Sequence, residues 1–173
     1  MSAELPEVLD AWRMVTARRE FEGTLPLSSM LRLRDSLCDD AGEVRYEISF
    51  DRDALQVPYV ELRIQAALPL VCQRTLKPFL QPVQVEQRLA LLPADTDLEV
   101  AEAGLPEGYE ALPVPADGGL RPAELIEDEL ILAVPVVALS PGSEALAQEW
   151  AATAEEMQEA SPFAALAALK KRE

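Results

Sequence analysis

Three segments in which apolar and polar residues alternate constrain the fold of this chain more than any other feature of its sequence. They lie at residues 44–50, 60–70 and 83–91, and only Gln87 interrupts the apolar row of the third. Alternation with a period of two places one face of a strand on a core and the other in water. Because the connections are short, we expect the three strands to pair in an antiparallel sheet.

Helical patterns occur on both sides of these strands. Apolar spacing and capping residues predict helices over residues 6–19, 28–37, 122–134 and 143–159, a strand over 21–25, and an extended, buried segment over 134–139. Residues 93–122, rich in Pro, Gly and acids, are predicted to be loop with a short strand near 112–114. We therefore predict a single α+β domain over residues 1–160, with an antiparallel sheet of about four to six strands flanked by N- and C-terminal helices. A tail over residues 161–173 with a short helix follows it.

Composition excludes several classes of protein. The 173 residues are 49% hydrophobic, which is enough to form a core, and they include no histidine and only two cysteines, Cys38 and Cys72. Ser-His-Asp and Cys-His catalysis, histidine-zinc sites and a disulfide scaffold are therefore excluded. No signal peptide or membrane-spanning run is recognisable. We expect a soluble cytoplasmic protein with reduced thiols and no cofactor.

The charge of the chain is concentrated in its second half. The net charge is −16, with 11 basic and 14 acidic residues up to position 90, but 4 basic and 17 acidic residues after it. Affinity for nucleic acid depends mainly on contacts between cations and phosphates, so the second half repels RNA. Either RNA is contacted by the first half, or a basic protein is held by the second; acidity that serves solubility alone is the other interpretation.

A small group of cations is the candidate RNA site. Arg74, Lys77 and Arg88 stand near Phe79, and basic residues interspersed with aromatic ones are compatible with RNA binding. Basic side chains on the solvent face of a strand are also ordinary. Cys72, beside Arg74 and Lys77, is either a thiolate of lowered pKa or a packing residue at the end of a buried strand, and the sequence favours packing.

Acidic residues of the predicted helix 122–134 are the second candidate. Glu124, Glu127, Asp128 and Glu129 lie within about one and a half turns, where carboxylates could bind a divalent cation for a hydrolase or nuclease. No nucleophile, phosphate-binding loop or histidine accompanies them, so we assign no catalytic residue and no metal site. We expect Glu127, Asp128 and Glu129 to contact a partner instead.

The tail carries the third candidate surface. Phe163, Leu166 and Leu169 recur at intervals of three residues, and a helix this short is marginal alone in water. The stripe is therefore suited to ordering on a partner, as amphipathic helices do in apolar grooves. Packing back on the sheet, or fraying, is the alternative.

Three stretches together resemble the YceD family of bacterial large ribosomal RNA subunit accumulation proteins. They are Cys72-Gln-Arg-Thr-Leu-Lys-Pro78, the helical segment from Leu125 ending in Ala-Val-Pro135, and the closing Ser161-Pro-Phe-Ala-Ala-Leu-Ala-Ala-Leu-Lys170. The resemblance implies a role in the accumulation or processing of large-subunit (23S) ribosomal RNA, with no established catalytic activity or cofactor. The implied partner is this RNA or its precursor, contacted directly or through a basic ribosomal or processing protein.

The chain departs from the family pattern at one position. Many members read Cys-x-Arg-Cys in the first motif and have a further Cys or His after the Ala-x-Pro segment. Here Thr75 replaces the second cysteine, and residues 136–143 contain neither Cys nor His. A zinc site carried over from the family would lack most of its ligands. We therefore expect Cys72 to pack and to fix the loop that holds Arg74.

Overall fold

The structure, a computed structural model, describes residues 5–143. The chain up to Ala138 forms one compact unit, and a boundary follows at Leu139. Apart from Ser143, the predicted helix over 143–159 lies outside the described residues, as does the tail over 161–173. The domain limits at residues 160 and 161 therefore stay predictions.

Strands and helices are mixed in the described part of the chain, which confirms the α+β class. Two one-turn 3-10 helices, Leu27–Ser29 and Leu33–Ser36, accompany seven strands and three α-helices. No helix among residues 5–143 is long and apolar enough to cross a membrane. The elements in chain order are β1 (Leu9–Asp10), α1 (Ala11–Ala17), β2 (Glu20–Pro26), β3 (Glu43–Arg52), β4 (Pro58–Val71), β5 (Pro78–Pro93), α2 (Leu98–Gly104), β6 (Tyr109–Val114), β7 (Gly119–Leu120) and α3 (Pro122–Ala133).

Five strands form the main sheet, in the order β2-β3-β4-β5-β6. Strands β2, β3, β4 and β5 pair antiparallel with one another, as predicted, but β6 runs parallel to β5. The prediction of a purely antiparallel sheet was wrong because residues 94–108, expected to be loop, contain α2 and return the chain to Arg88 of β5. From there β6 runs alongside β5 in the same direction. A crossover of a dozen or more residues is what a parallel pair requires.

The sheet has one buried and one open face, as the alternation predicts. Side chains of Tyr46, Ile48 and Phe50 on β3 and of Leu62 and Ile64 on β4 are buried in the core. Helix α1 packs against β3 and β4, while α3 packs against β5 and the second 3-10 helix. The opposite face carries the polar residues of the same strands to solvent.

The N-terminal helix is shorter than predicted. Residues 9 and 10 pair with Leu120 and Gly119 as a two-residue ribbon, and α1 begins only at Ala11. Asp10 caps α1, since its carboxylate accepts a hydrogen bond from the Arg13 amide at 3.0 Å. Arg18, in the left-handed region at φ 48°, ends it.

The helix predicted over residues 28–37 was wrong in type. The segment folds into the two 3-10 helices, and Leu27, Met30 and Leu33 are all buried. Leu27 and Leu33 begin the two 3-10 helices and Met30 lies between them, so the apolar spacing reflects two separate short turns and not one continuous helix.

Two further features concern the burial of residues 134–138 and the edge of β5. Val136, expected to be buried, is 94% exposed, and of residues 134–138 only Ala138 is buried. Strand β6 pairs only with Arg88–Pro93, so the outer edge of residues 78–87 of β5 has no neighbouring strand among the described residues.

Candidate functional site

Glu127 connects α3 to the second 3-10 helix. The side chain is buried, and its Oε1 accepts hydrogen bonds from the backbone amides of Arg32 at 2.7 Å and Leu33 at 3.1 Å. Its Oε2 lies 3.0 Å from both Nε and Nη2 of Arg32. A buried carboxylate needs such partners, because an unpaired charge in the interior is costly.

Arg32 binds two further groups of α3. Its Nη1 pairs with Asp128 Oδ1 at 2.5 Å, and its Nη2 donates to the carbonyl of Glu124 at 3.1 Å. Hydrogen bonds to Asp128 and Glu127 raise the pKa of Arg32. Of the acids expected to contact a partner, Glu127 is thus engaged within the protein, whereas Asp128 remains exposed beside its arginine.

Glu129 lies within electrostatic range of Glu110 on β6. The residue is half-buried, and burial raises the pKa of its carboxyl, with further increases from the nearby charges of Glu110 and Asp128. The four acids of α3 therefore differ in environment. They do not converge on one point, and within residues 5–143 no group of three His, Cys, Asp or Glu side chains is placed to hold a metal ion.

The three cations of the predicted RNA site are not brought together. Arg74 and Lys77 lie in the connection between β4 and β5, whereas Arg88 lies eleven positions beyond Lys77 on β5. At roughly 3.3 Å per residue, an extended strand separates Lys77 from Arg88 by about 35 Å. Arg88 is also occupied locally, 3.6 Å from Glu61 and stacked 5.7 Å from the ring centre of Tyr59.

Cys72 is completely buried at the end of β4, as the packing interpretation predicts. Its amide donates to the Lys77 carbonyl at 2.9 Å, and its carbonyl accepts from the Leu76 amide at 2.8 Å. The Thr75 amide lies 3.5 Å from Cys72 Sγ. These contacts fix the turn that presents Arg74 and Lys77, both exposed.

A groove beside α3 brings together residues that sequence reasoning did not connect. We call it the β7–α3 groove; its volume is about 520 Å³. Its apolar lining comes from Val8, Leu112, Leu120 and Leu125, and its acidic lining from Asp117, Glu124 and Asp128. Val8 and Leu112 belong to segments distant in sequence, and no local pattern indicates that they meet.

The fold and groove define an α+β protein whose sheet keeps one face open to solvent. Residues 60–170 match the model of the family described as large ribosomal RNA subunit accumulation protein YceD, and the chain belongs to that family. It is 28% identical, over 98% of both chains, to a Haemophilus influenzae protein named large ribosomal RNA subunit accumulation protein YceD. No solved structure gave a significant match.

Proposed function

We propose that this chain is a non-catalytic ribosome-biogenesis factor that supports the accumulation of large-subunit (23S) ribosomal RNA. The observation that carries the proposal is the family match over residues 60–170, together with the name of the Haemophilus influenzae relative. The role assigns the protein to the bacterial cytoplasm, where ribosomal RNA matures.

The test is the level of 23S RNA in a host strain that lacks the gene. We expect the ratio of 23S to 16S RNA to fall and to be restored by a plasmid copy of the full chain. An unchanged ratio in the deletion strain would contradict the proposed function. Matched protein levels between wild-type and variant plasmids, measured by immunoblot, keep loss of folding apart from loss of function.

We further propose that the protein reaches the RNA through a basic ribosomal or processing protein. The net charge of −16, the distance between Lys77 and Arg88, and the pairing of Arg88 with Glu61 all support this route. Asp128, half of whose side chain is exposed beside Arg32, belongs to the surface that such a partner would meet.

Purification of the tagged chain with and without ribonuclease treatment distinguishes the two routes. If the chain acts through a protein partner, large-subunit ribosomal or processing proteins should remain associated with it after the RNA is digested. Direct contact predicts that the association is lost, and that replacing Arg74, Lys77 and Arg88 by Ala flattens the salt dependence of RNA binding by up to about three phosphate contacts. Loss of the association after ribonuclease treatment, together with the flattened salt dependence, would overturn the proposal that a protein partner connects the chain to the RNA.

A further inference from the structure

The β7–α3 groove combines buried apolar residues with one exposed aliphatic side chain. Leu120 and Leu125 are 8% exposed and Leu112 is half-buried, so they form an apolar floor. Val8, at 49% exposure, adds an aliphatic group that nothing in the described part of the chain covers further. A volume of about 520 Å³ is within the range of ordinary binding clefts.

Acidic side chains surround that floor. Asp117, Glu124 and Asp128 line the groove, and Arg121 is the one cation among the lining residues. The Nη1 of Arg121 is already shared between Glu7 at 3.4 Å and Glu124 at 3.6 Å. The sequence from position 91 to 143 contains eleven acids, three of them in the groove, against this single arginine, so the negative potential extends well beyond the groove.

Hydrogen bonds within the protein hold the wall of the groove in place without a partner. The Gly118 amide donates to Pro115 at 2.8 Å, the Gly118 carbonyl accepts from Ala11 at 2.9 Å, and Asp117 Oδ1 accepts from Gly119 at 3.0 Å. Gly118 has φ 74°, and a Cβ there would lie 3.2 Å from side-chain atoms of Asp10 and Trp12. A site ordered in advance loses little conformational entropy on binding.

We infer that the β7–α3 groove binds a short segment of a basic protein. One aliphatic side chain of the segment enters the apolar floor, and flanking Arg or Lys side chains pair with Asp117 and Glu124. Phosphate groups of RNA are repelled by the same acids, so the occupant is a peptide and not nucleic acid. The inference rests on the proposed function and names the surface that its protein route uses.

A fluorescently labelled peptide with one leucine between two pairs of arginines is the probe, and anisotropy with the full chain measures its binding. The combined Asp117→Asn and Glu124→Gln substitutions are expected to weaken binding by about 3- to 10-fold. Val8→Ser is expected to weaken it by roughly 3-fold. All three side chains are substantially exposed, and Asn keeps an acceptor for Gly119, so the fold is preserved.

The matched control removes the same charge elsewhere. Glu99 and Glu102 are exposed on α2 and do not line the groove, so Glu99→Gln with Glu102→Gln should change binding by less than about 2-fold. An equal loss in this control would overturn the groove as the site, since general attraction to an acidic protein would then suffice. Equal binding of a peptide with serine in place of leucine would likewise overturn the apolar floor.

Other occupants give different results. Direct binding of a labelled single-stranded RNA to the chain, lost with the Asp117 and Glu124 substitutions, would replace the peptide with RNA. Self-association abolished by Val8→Ser would replace it with a second copy of the chain. In the host, the groove variants should lower 23S RNA at normal protein abundance. Normal 23S RNA in these variants, with a defect in the deletion strain, would reject the groove and retain the proposed function.

Discussion

Glu127 supplies acceptors to a turn that has no side-chain cap of its own. The second 3-10 helix begins after Arg32 without a side-chain hydrogen bond from its N-cap residue. Two of its unpaired amides, those of Arg32 and Leu33, are instead satisfied by a carboxylate from α3. The first 3-10 helix, Leu27–Ser29, also lacks a side-chain cap. One residue therefore completes local structure and joins two elements.

Replacing Glu127 by Gln should reveal this double role. The amide of glutamine offers one acceptor oxygen, but its NH2 group would face the Nε and Nη2 donors of Arg32. We expect the free energy of unfolding to fall by about 2 kcal/mol. Urea denaturation measures it, with Glu124→Gln, an exposed carboxylate on the same helix, as a control expected to change by less than about 0.5 kcal/mol. Equal losses in the two variants would contradict this account.

Replacing Glu129 should raise the stability of the protein, in contrast to replacing Glu127, and the size of the gain should depend on pH. Its raised pKa means that the folded protein holds this proton to a higher pH than the unfolded chain. Stability is thus lost as the pH rises from the unfolded pKa, near 4.5, through the raised value. Glu129→Gln should stabilise the protein at pH 7, and this gain should shrink toward pH 4, where both states bind the proton.

Denaturation curves of the Glu129→Gln variant and the parent at several pH values would measure the effect. The Glu124→Gln variant serves again as the control, because its carboxylate is exposed. A gain of the same size at pH 4 and pH 7 would mean that packing of the amide, and not the removal of a half-buried charge, is responsible.

At the scale of elements, the pairing of β2 with β3 depends on a glycine. Gly23 lies opposite Tyr46, and a Cβ at this position would lie 2.7 Å from the hydroxyl and 3.0 Å from Cζ of the tyrosine. Tyr46 is almost completely buried, so its ring has little room to move. The absence of a side chain on β2 is what allows the ring to lie over the strand.

Gly23→Ala should therefore destabilise the fold by about 1–3 kcal/mol through overpacking. Gly104→Ala is the matched control: no atom lies within 4 Å of its added methyl, and alanine in α2 should raise stability by about 0.5 kcal/mol or more. Thermal unfolding compares them. The loss from Gly23→Ala should be smaller in a Tyr46→Phe background; an unchanged loss would locate the strain elsewhere.

The strands β3, β4 and β5 and helix α3 were predictable because their signals are local. Alternation over residues 44–50 needs no knowledge of the rest of the chain, and Pro122 and Pro135 bound α3 in the sequence. The orientation of β6 was not predictable, since it depends on how residues 94–108 return across the sheet. The apolar spacing of Met30, Leu33 and Leu37 predicted one helix over residues 28–37, and nothing in that spacing indicates that the segment divides into two 3-10 helices.

The candidate site was predictable only in its parts. The acids of α3 and the turn cations were recognised, but Arg32 and Glu127 are 95 positions apart and no pattern couples them. Likewise, Val8 and Asp117 line one groove only because β1 pairs with β7. Contacts of this kind follow from tertiary structure, which the periodicity of one segment does not predict.

At the scale of the whole molecule, the tail over residues 161–173 carries a separate prediction. Residues 161–173 lie outside the described structure, and their stripe of Phe163, Leu166 and Leu169 is a sequence prediction. We expect deletion of residues 161–173 to change the melting temperature by less than about 2 °C while lowering 23S RNA accumulation. The triple substitution of the stripe residues by Ser, at full length, is the matched variant.

A melting temperature lowered by many degrees in both tail variants would assign the stripe to the core and end its role in partner binding. Unchanged 23S RNA in both would show that accumulation does not use it. Since the β7–α3 groove lies wholly within the described residues, its peptide affinity in the deletion variant is an independent measurement.

The unpaired edge of β5 bears on how copies of this chain behave at high concentration. Pro82 lies opposite Ala67 and has no N–H to donate to β4, so the even-numbered residues of β5 direct their backbone groups outward. Between positions 78 and 87, prolines occupy two of these five outward positions, Pro78 and Pro82. A foreign strand would find no N–H donor at these two positions, so this edge of β5 is a poorer template for strand addition than an edge without prolines.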